Sequence, residues 1–382
     1  MRNNQTKSKK NWISVIIVSI IFGAIAGILA DKLLSPYLST LPWLSKYEIF
    51  KSQGKKITIE KTIEKTVSIK EEESVLEGAK KVIPSLVAIE KIQTCPKKIL
   101  CQPEIVSSGF ILSSDGLIAS SKEGISKEID YQIVDSEGRS YPVERIISDP
   151  VSSLVFLKIK AENLPVVELG WPEEIKLGRK VIALAKTQDL KEELELGVIK
   201  NTSFSILDSY TPHGEELEKA FILDKKLERN FSGGPVISLE GKVIGLNIIS
   251  DNYSYILPSE IVRSAFESQA SKGKISRAYL GILYLDLDPS FSRLNNLPRD
   301  WGALIKSNNP KINPVIKNSP AEKAGLMPED IILALDKNKI DQEKSFGQIL
   351  RKYKPGDDVE LTVLREGKEI KVRVKLEEKE NF

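Results

Sequence analysis

The stretch Asn230-Phe231-Ser232-Gly233-Gly234-Pro235 constrains this chain more than any other. It stands just before the apolar runs Val236-Ile237-Ser238 and Val243-Ile244-Gly245-Leu246, so a serine and two glycines are wedged between strand-like segments. Glycine admits backbone conformations that a side chain forbids, and here it lets the chain turn tightly enough for two N–H groups to converge on one oxygen. An acyl-transfer site needs that geometry when a carbonyl becomes an oxyanion. A turn with no chemistry reads the same, so the meaning of the stretch depends on what else the chain supplies.

A serine hydroxyl is a poor nucleophile until a base takes its proton, and histidine suits because its pKa lies near working pH. The 382 residues hold one histidine, His213, in the turn-rich run Tyr210-Thr211-Pro212-His213-Gly214-Glu215. A zinc site built on imidazoles is excluded for the same reason, and no metal or other cofactor is expected. The net charge of +3 is more than accounted for by Arg2, Lys7, Lys9 and Lys10. The remainder is balanced, so no nucleic-acid surface is implied.

Length suggests two to three domains. Trp12 to Ala30 is an uncharged apolar run that, as a helix, nearly spans a bilayer core of ~30 Å. A cleaved signal peptide is the rival, but its apolar region is usually shorter, and a cut after Ala30 would put Ile28 where a small residue is wanted. The expectation is an uncleaved anchor: a single pass through the cell membrane, the basic N-terminus in the cytoplasm and everything after Asp31 outside. Gly23 and Gly27 have the spacing of a helix-packing pair. Residues 1–34 are thus tip and anchor, and 35–74 read as a stalk. Pro36, Pro42 and Gly54 break it, and Ile57 to Ile69 alternate loosely like an edge strand. Glu71-Glu72-Glu73-Ser74 opens a short helix. The only two cysteines, Cys95 and Cys101, share one exported loop, and a disulfide between them is expected.

From residue 75 onward the motifs accumulate. They are Ala79-Lys80-Lys81-Val82-Ile83-Pro84-Ser85-Leu86-Val87, Ser108-Gly109-Phe110-Ile111-Leu112 through the Asp115-Gly116 turn, Asp149-Pro150, Leu154-Val155-Phe156-Leu157, and Val181-Ile182-Ala183-Leu184. Tyr279-Leu280-Gly281-Ile282 follows, then Ser319-Pro320-Ala321-Glu322-Lys323-Ala324-Gly325-Leu326, Asp330-Ile331-Ile332-Leu333 and Lys354-Pro355-Gly356-Asp357. In this order the runs resemble the HtrA (Deg) family of membrane-associated serine proteases, whose usual nucleophile stretch is Gly-Asn-Ser-Gly-Gly-Pro. The fold implied is mostly β. A trypsin-like double β-barrel covers 75–268, a polar linker 269–277, and an α+β PDZ domain 278–378.

The resemblance also exposes what is missing. The family histidine ends a Thr-Asn-Asn-His run, which here is Ser120-Ser121-Lys122-Glu123, so Glu123 stands in its place. The family aspartate lies in Asp-Pro-x-Thr-Asp-Leu, here Asp149-Pro150-Val151-Ser152-Ser153-Leu154, so Ser153 stands there. Only Ser232 survives of the three. In the oxyanion loop Asn230 replaces a glycine and Phe231 a small polar residue; Asn tolerates left-handed backbone, and Phe231 fills or covers the pocket. Three other bases are conceivable. Glu123 starts from a pKa near about 4.3. Lys122 has to be neutral beside Glu123. His213 lies in a surface loop.

Three functions remain open. The first is a membrane-anchored pseudoprotease that binds peptides or unfolded proteins without cutting. The second is an active serine endopeptidase with an unusual base, in extracytoplasmic quality control. The third is a non-catalytic subunit of active HtrA-type proteases. The family implies homo-oligomers, trimers in particular, or such a mixed assembly. It also implies that the backbone of Tyr279-Leu280-Gly281-Ile282 receives a peptide carboxylate, with Leu280, Ile282, Ile349 and Leu350 receiving the last side chain.

Overall fold

A computed structural model describes residues 6–29, 72–93, 100–171, 175–205, 214–215, 219–249, 254–342 and 344–379. Helix α1 (Thr6–Leu29) belongs to a unit of its own, separate from the unit Ser74–Phe382. Its described side chains, from Val15 to Gly27, are exposed, and Phe22, Ile20 and Val15 are the most so. At 1.5 Å per residue they cover about 20 Å of helix axis. Among the described residues no helix is long and apolar enough to cross a membrane. The side chains at the two ends of the expected span, and the stalk over 35–71, lie outside the described residues.

Helix α2 (72–82) leads into six strands: β1 (Leu86–Lys91), β2 (Glu104–Ser113), β3 (Leu117–Ser121), β4 (Tyr131–Val134), β5 (Ser140–Ser148) and β6 (Leu154–Ile159). They close into a barrel in the order β1-β2-β3-β6-β5-β4. The sequence explains the closure. Val87, Ile89, Ile111, Ile118, Ile133, Val155 and Leu157 point to one interior, and closing the sheet removes its edges. Gly116, at φ 95°, turns β2 into β3.

A second barrel, ordered β10-β11-β12-β9-β8-β7, is formed by β7 (Lys180–Lys186), β8 (Glu192–Ser205), β9 (Lys219–Leu223), β10 (Pro235–Ile237), β11 (Val243–Ile249) and β12 (Ser254–Pro258). One apolar cluster runs through both barrels and under helix α3 (Ser259–Lys272), joining Phe110 and Phe156 to Leu184, Leu246 and Val262. The expected linker over 269–277 is therefore not loose. Its first half is the last turn of α3, capped by Gly273 at φ 70°, and Ile275 is buried in the shared core.

The C-terminal domain pairs β13 (Ala278–Tyr279) with β20 (Glu377–Glu378). Its sheet is ordered β14 (Tyr284–Asp286), β15 (Ala303–Ile305), β16 (Ile331–Leu335), β18 (Asp358–Arg365) and β19 (Lys368–Lys375), with β17 (Asn338–Lys339) on β16. Helices α4 (Pro289–Leu294), α5 (Pro320–Lys323) and α6 (Phe346–Leu350) complete it. A serine or aspartate side chain caps each at its N-terminus, and Ser345 forms a capping box with Gln348. Tyr284 of β14 meets Phe346 of α6 edge to face, with centroids 5.1 Å apart. The fold is the expected mostly β one, a double barrel followed by an α+β domain.

Candidate active site and carboxylate loop

Ser232 sits at the end of a single 3-10 turn, Arg229–Phe231, just before β10. The turn is held from behind by β2. The Ser108 amide and the Ser107 hydroxyl both donate to the Ser232 carbonyl, at 2.9 and 2.8 Å. The Ser108 hydroxyl donates to the Asn230 carbonyl at 2.8 Å. Ser120 of β3 closes the cluster, with its hydroxyl 2.9 Å from that of Ser107. Gly233 follows at φ 76°, and a Cβ there would run into the Ser120 hydroxyl, the Ser108 carbonyl and the Ser107 hydroxyl. The glycine is required both for its dihedral and for this close approach.

The chemistry in front of the turn is different. Ser232 is 2% exposed, and its buried hydroxyl has no hydrogen-bond partner among the described residues. Its backbone N–H, one of the two donors an oxyanion would need, already donates to the Arg229 carbonyl at 3.0 Å. Phe231 does not cover a pocket. It is buried in the core of the second barrel with Val181, Ala183 and Val236, and anchors the turn there. The side-chain amide of Asn230 donates to the Glu193 carboxylate on β8.

Glu123 is half-buried just after β3, and its backbone N–H donates to the Ser121 hydroxyl at 3.1 Å. Ser153 stands across from the residue before it, since the Lys122 N–H donates to the Ser153 carbonyl at 2.8 Å. The hydroxyl of Ser153 lies 3.1 Å from that of Tyr255 on β12. Burial, with the nearby Glu123 carboxylate adding to it, pushes the Tyr255 phenol up; the Ser153 hydrogen bond opposes this. The seam between the barrels therefore brings Ser153 against Tyr255, with the Glu123 carboxylate close enough to act on that phenol. Lys122 is turned away, its ammonium donating to the Asp149 carbonyl. His213 and Cys95 lie outside the described residues, whereas Cys101 is disulfide-bonded. Among the described residues no group of three His, Cys, Asp or Glu side chains is placed to hold a metal ion.

Asp149 is fully buried, and its two carboxylate oxygens accept from Arg277 at 3.1 and 2.6 Å. Burial pushes this carboxyl up, but the Arg277 guanidinium, the Val151 amide and the Ser152 hydroxyl outweigh it and hold it below the usual carboxylate range.

The loop Tyr279-Leu280-Gly281-Ile282 does receive a carboxylate, but it is the side chain of Glu215. Glu215 Oε2 accepts from the Leu280 amide at 2.9 Å. Its Oε1 accepts from Gly281 at 2.6 Å and from Ile282 at 3.3 Å. Gly281 is at φ 89°, and a Cβ there would strike Ser319. Leu280, Ile282, Ile349 and Leu350 are all buried in the domain's own core. Tyr279 is partly buried and belongs to β13. A cleft of about 780 Å³ runs between α3 and α6, lined by Trp171, Arg263, Glu215, Gly347, Leu350 and Arg351 among others. Sequence reasoning missed Glu215 and Tyr255, because no local pattern marks either; an acid beside Gly214 was the only trace.

Two family models match this chain. A trypsin-like peptidase domain covers residues 107–246, and a PDZ domain covers 279–376. A probable periplasmic serine endoprotease, DegP-like, from Marinomonas sp. (strain MWYL1) is 31% identical over 290 residues, 73% of this chain and 58% of that protein. This chain is a DegP/HtrA homologue. The DegP-like protein of Chlamydia pneumoniae is 29% identical over 274 residues, covering 70% of this homologue and 54% of itself. The homologue thus spans a little over half the length of these curated relatives. Among solved structures, the HtrA-type protease AlgW with decapeptide has a TM-score of 0.63 at 20% identity, covering 80% of this chain and 99% of that one. The serine endoprotease from Yersinia pestis has a TM-score of 0.56 at 20% identity, covering 80% and 98%. At that identity the likeness is one of fold.

Proposed function

We propose that this DegP/HtrA homologue is a non-cutting, peptide-binding protein held outside the cytoplasm. The observation that carries the reading is the state of Ser232. Its hydroxyl is buried with no hydrogen-bond partner among the described residues, and its N–H is committed to Arg229. A nucleophile needs an adjacent base and free donors for the oxyanion; among the described residues no base reaches this hydroxyl, and one of the two donors is already taken. Glu123 and Ser153 stand at the positions of the base and its orienting carboxylate, and their neighbour is the Tyr255 hydroxyl. The ligand class is a peptide C-terminus or an unfolded protein, taken by the backbone of Tyr279-Leu280-Gly281-Ile282 and the edge of β14.

The periplasmic relatives and the N-terminal run support this location. Arg2, Lys7, Lys9 and Lys10 precede the uncharged stretch from Trp12 to Ala30, and α1 serves as the single-pass tether. Assembly with further copies, or with catalytically competent HtrA proteins, fits the same reading.

The test is hydrolysis of casein by the full chain and by Ser232→Ala. Equal, background rates are expected, because triad loss in such enzymes typically removes about a million-fold in rate. Cleavage by wild type that Ser232→Ala abolishes would overturn the proposal. Substituting Glu123, Lys122 and His213 singly would then name the base.

A further inference from the structure

We infer that Glu215 is an internal ligand of the carboxylate loop, and that a peptide C-terminus binds this domain only by displacing it. The inference rests on the peptide-binding reading above and adds its regulation. Three successive backbone N–H groups converge on the two oxygens of one carboxylate, at 2.6 to 3.3 Å. Such a cluster of amides is an anion-binding concavity, built for one carboxylate at a time. Glu215 comes from the segment between β8 and β9 of the second barrel, some 65 residues away along the chain. It is 5% exposed, and no ion pair to it is present among the described residues.

The contact is tight but costly. Burial pushes the Glu215 carboxyl above the usual range, although the three amides and the more distant Lys379 oppose this. A side-chain carboxylate brings only its two oxygens to the loop. A peptide C-terminus brings the same group together with a strand for the edge of β14 and a last side chain, so it has more to gain from the same site. Because Glu215 is tethered, an incoming peptide competes with a local concentration in the millimolar range. If the loop is vacant one part in ten, apparent affinity falls tenfold.

The experiment uses the full chain in detergent, with wild type, Glu215→Ala and Glu215→Gln. Hydrogen exchange reads the amides of Leu280, Gly281 and Ile282. Fluorescence polarisation reads a labelled decapeptide ending in a free-carboxylate valine, with its C-terminal amide as control. The expected result is protected amides in wild type, faster exchange in Glu215→Ala, and about tenfold or more tighter binding of the acid peptide by Glu215→Ala. Glu215→Gln, of the same length without the charge, should fall between, which guards against an effect of misfolding. Fast exchange in wild type, or equal peptide affinity in wild type and Glu215→Ala, would overturn the inference. If the wild-type amides are protected yet no variant binds the peptide, the peptide-binding reading itself has failed, and Glu215 is a structural clasp with nothing to regulate.

Discussion

Gly233 shows how closely the nucleophile turn is fitted to the strands behind it. Its φ of 76° and the crowding by Ser107, Ser108 and Ser120 leave no space for a side chain. Gly233→Ala should therefore lower stability by about 2–4 kcal/mol, read by urea denaturation with unchanged slope. Phe231 holds the other end of the turn, and Phe231→Ala, which empties a buried aromatic site in the second barrel, should cost about 3–5 kcal/mol. This bears on restoring proteolysis. Glu123→His with Ser153→Asp supplies a base and its orienting carboxylate, but Asn230→Gly and Phe231→Asn are also needed to free the donors. The last of these removes the anchor of the turn. Little recovery is expected in a casein assay, and any recovery should vanish on adding Ser232→Ala. The tight turn at Ser232 and Gly233 was legible in the sequence because it lies in a run with fixed local spacing. The burial of Phe231 was not, since an aromatic residue in a turn points inward or outward according to the barrel beneath it. The partner of Ser153, Tyr255, lies 102 residues away and is set by barrel closure alone.

At the scale of elements, the barrels were readable from short apolar runs broken by Gly and Asp turns, of which Asp115-Gly116 is the clearest. The segment after α3 was not. Its composition is polar, yet Ile275 enters the shared core and Arg277 reaches Asp149 beside β6. Removing one member of a buried ion pair leaves the other charge uncompensated. Arg277→Ala should therefore cost about 3–5 kcal/mol, measured by chemical denaturation at neutral pH. The sign of the pH dependence follows from the depressed carboxyl of Asp149. Its stabilising contribution is complete above the unfolded pKa, near about 3.9, and is lost as pH falls through the lower folded value. Wild type should lose stability across that acidic window more steeply than Asp149→Asn, whose amide does not titrate. Identical acid profiles would refute the assignment.

For the whole molecule, the proposed placement outside the cytoplasm would give Cys101, which is disulfide-bonded, an oxidising surrounding, and we take Cys95 as its partner. Non-reducing peptide mapping should recover a Cys95–Cys101 crosslink; two free thiols after alkylation would count against both pairing and compartment. Protease added to intact spheroplasts should digest the region from 75 to 378, and full protection would contradict the topology. A final consequence lies in two clasps, one from the second barrel to the C-terminal domain and one from the first barrel to the segment that leads into it. Glu215 is one, and it can be exchanged for a ligand; Asp149 with Arg277 is the other, and no peptide competes for it. Opening the first leaves the second shut. Ligand arrival should then change the chain's local exposure without changing its outer envelope, so the small-angle scattering curve with saturating peptide should overlay the curve without it.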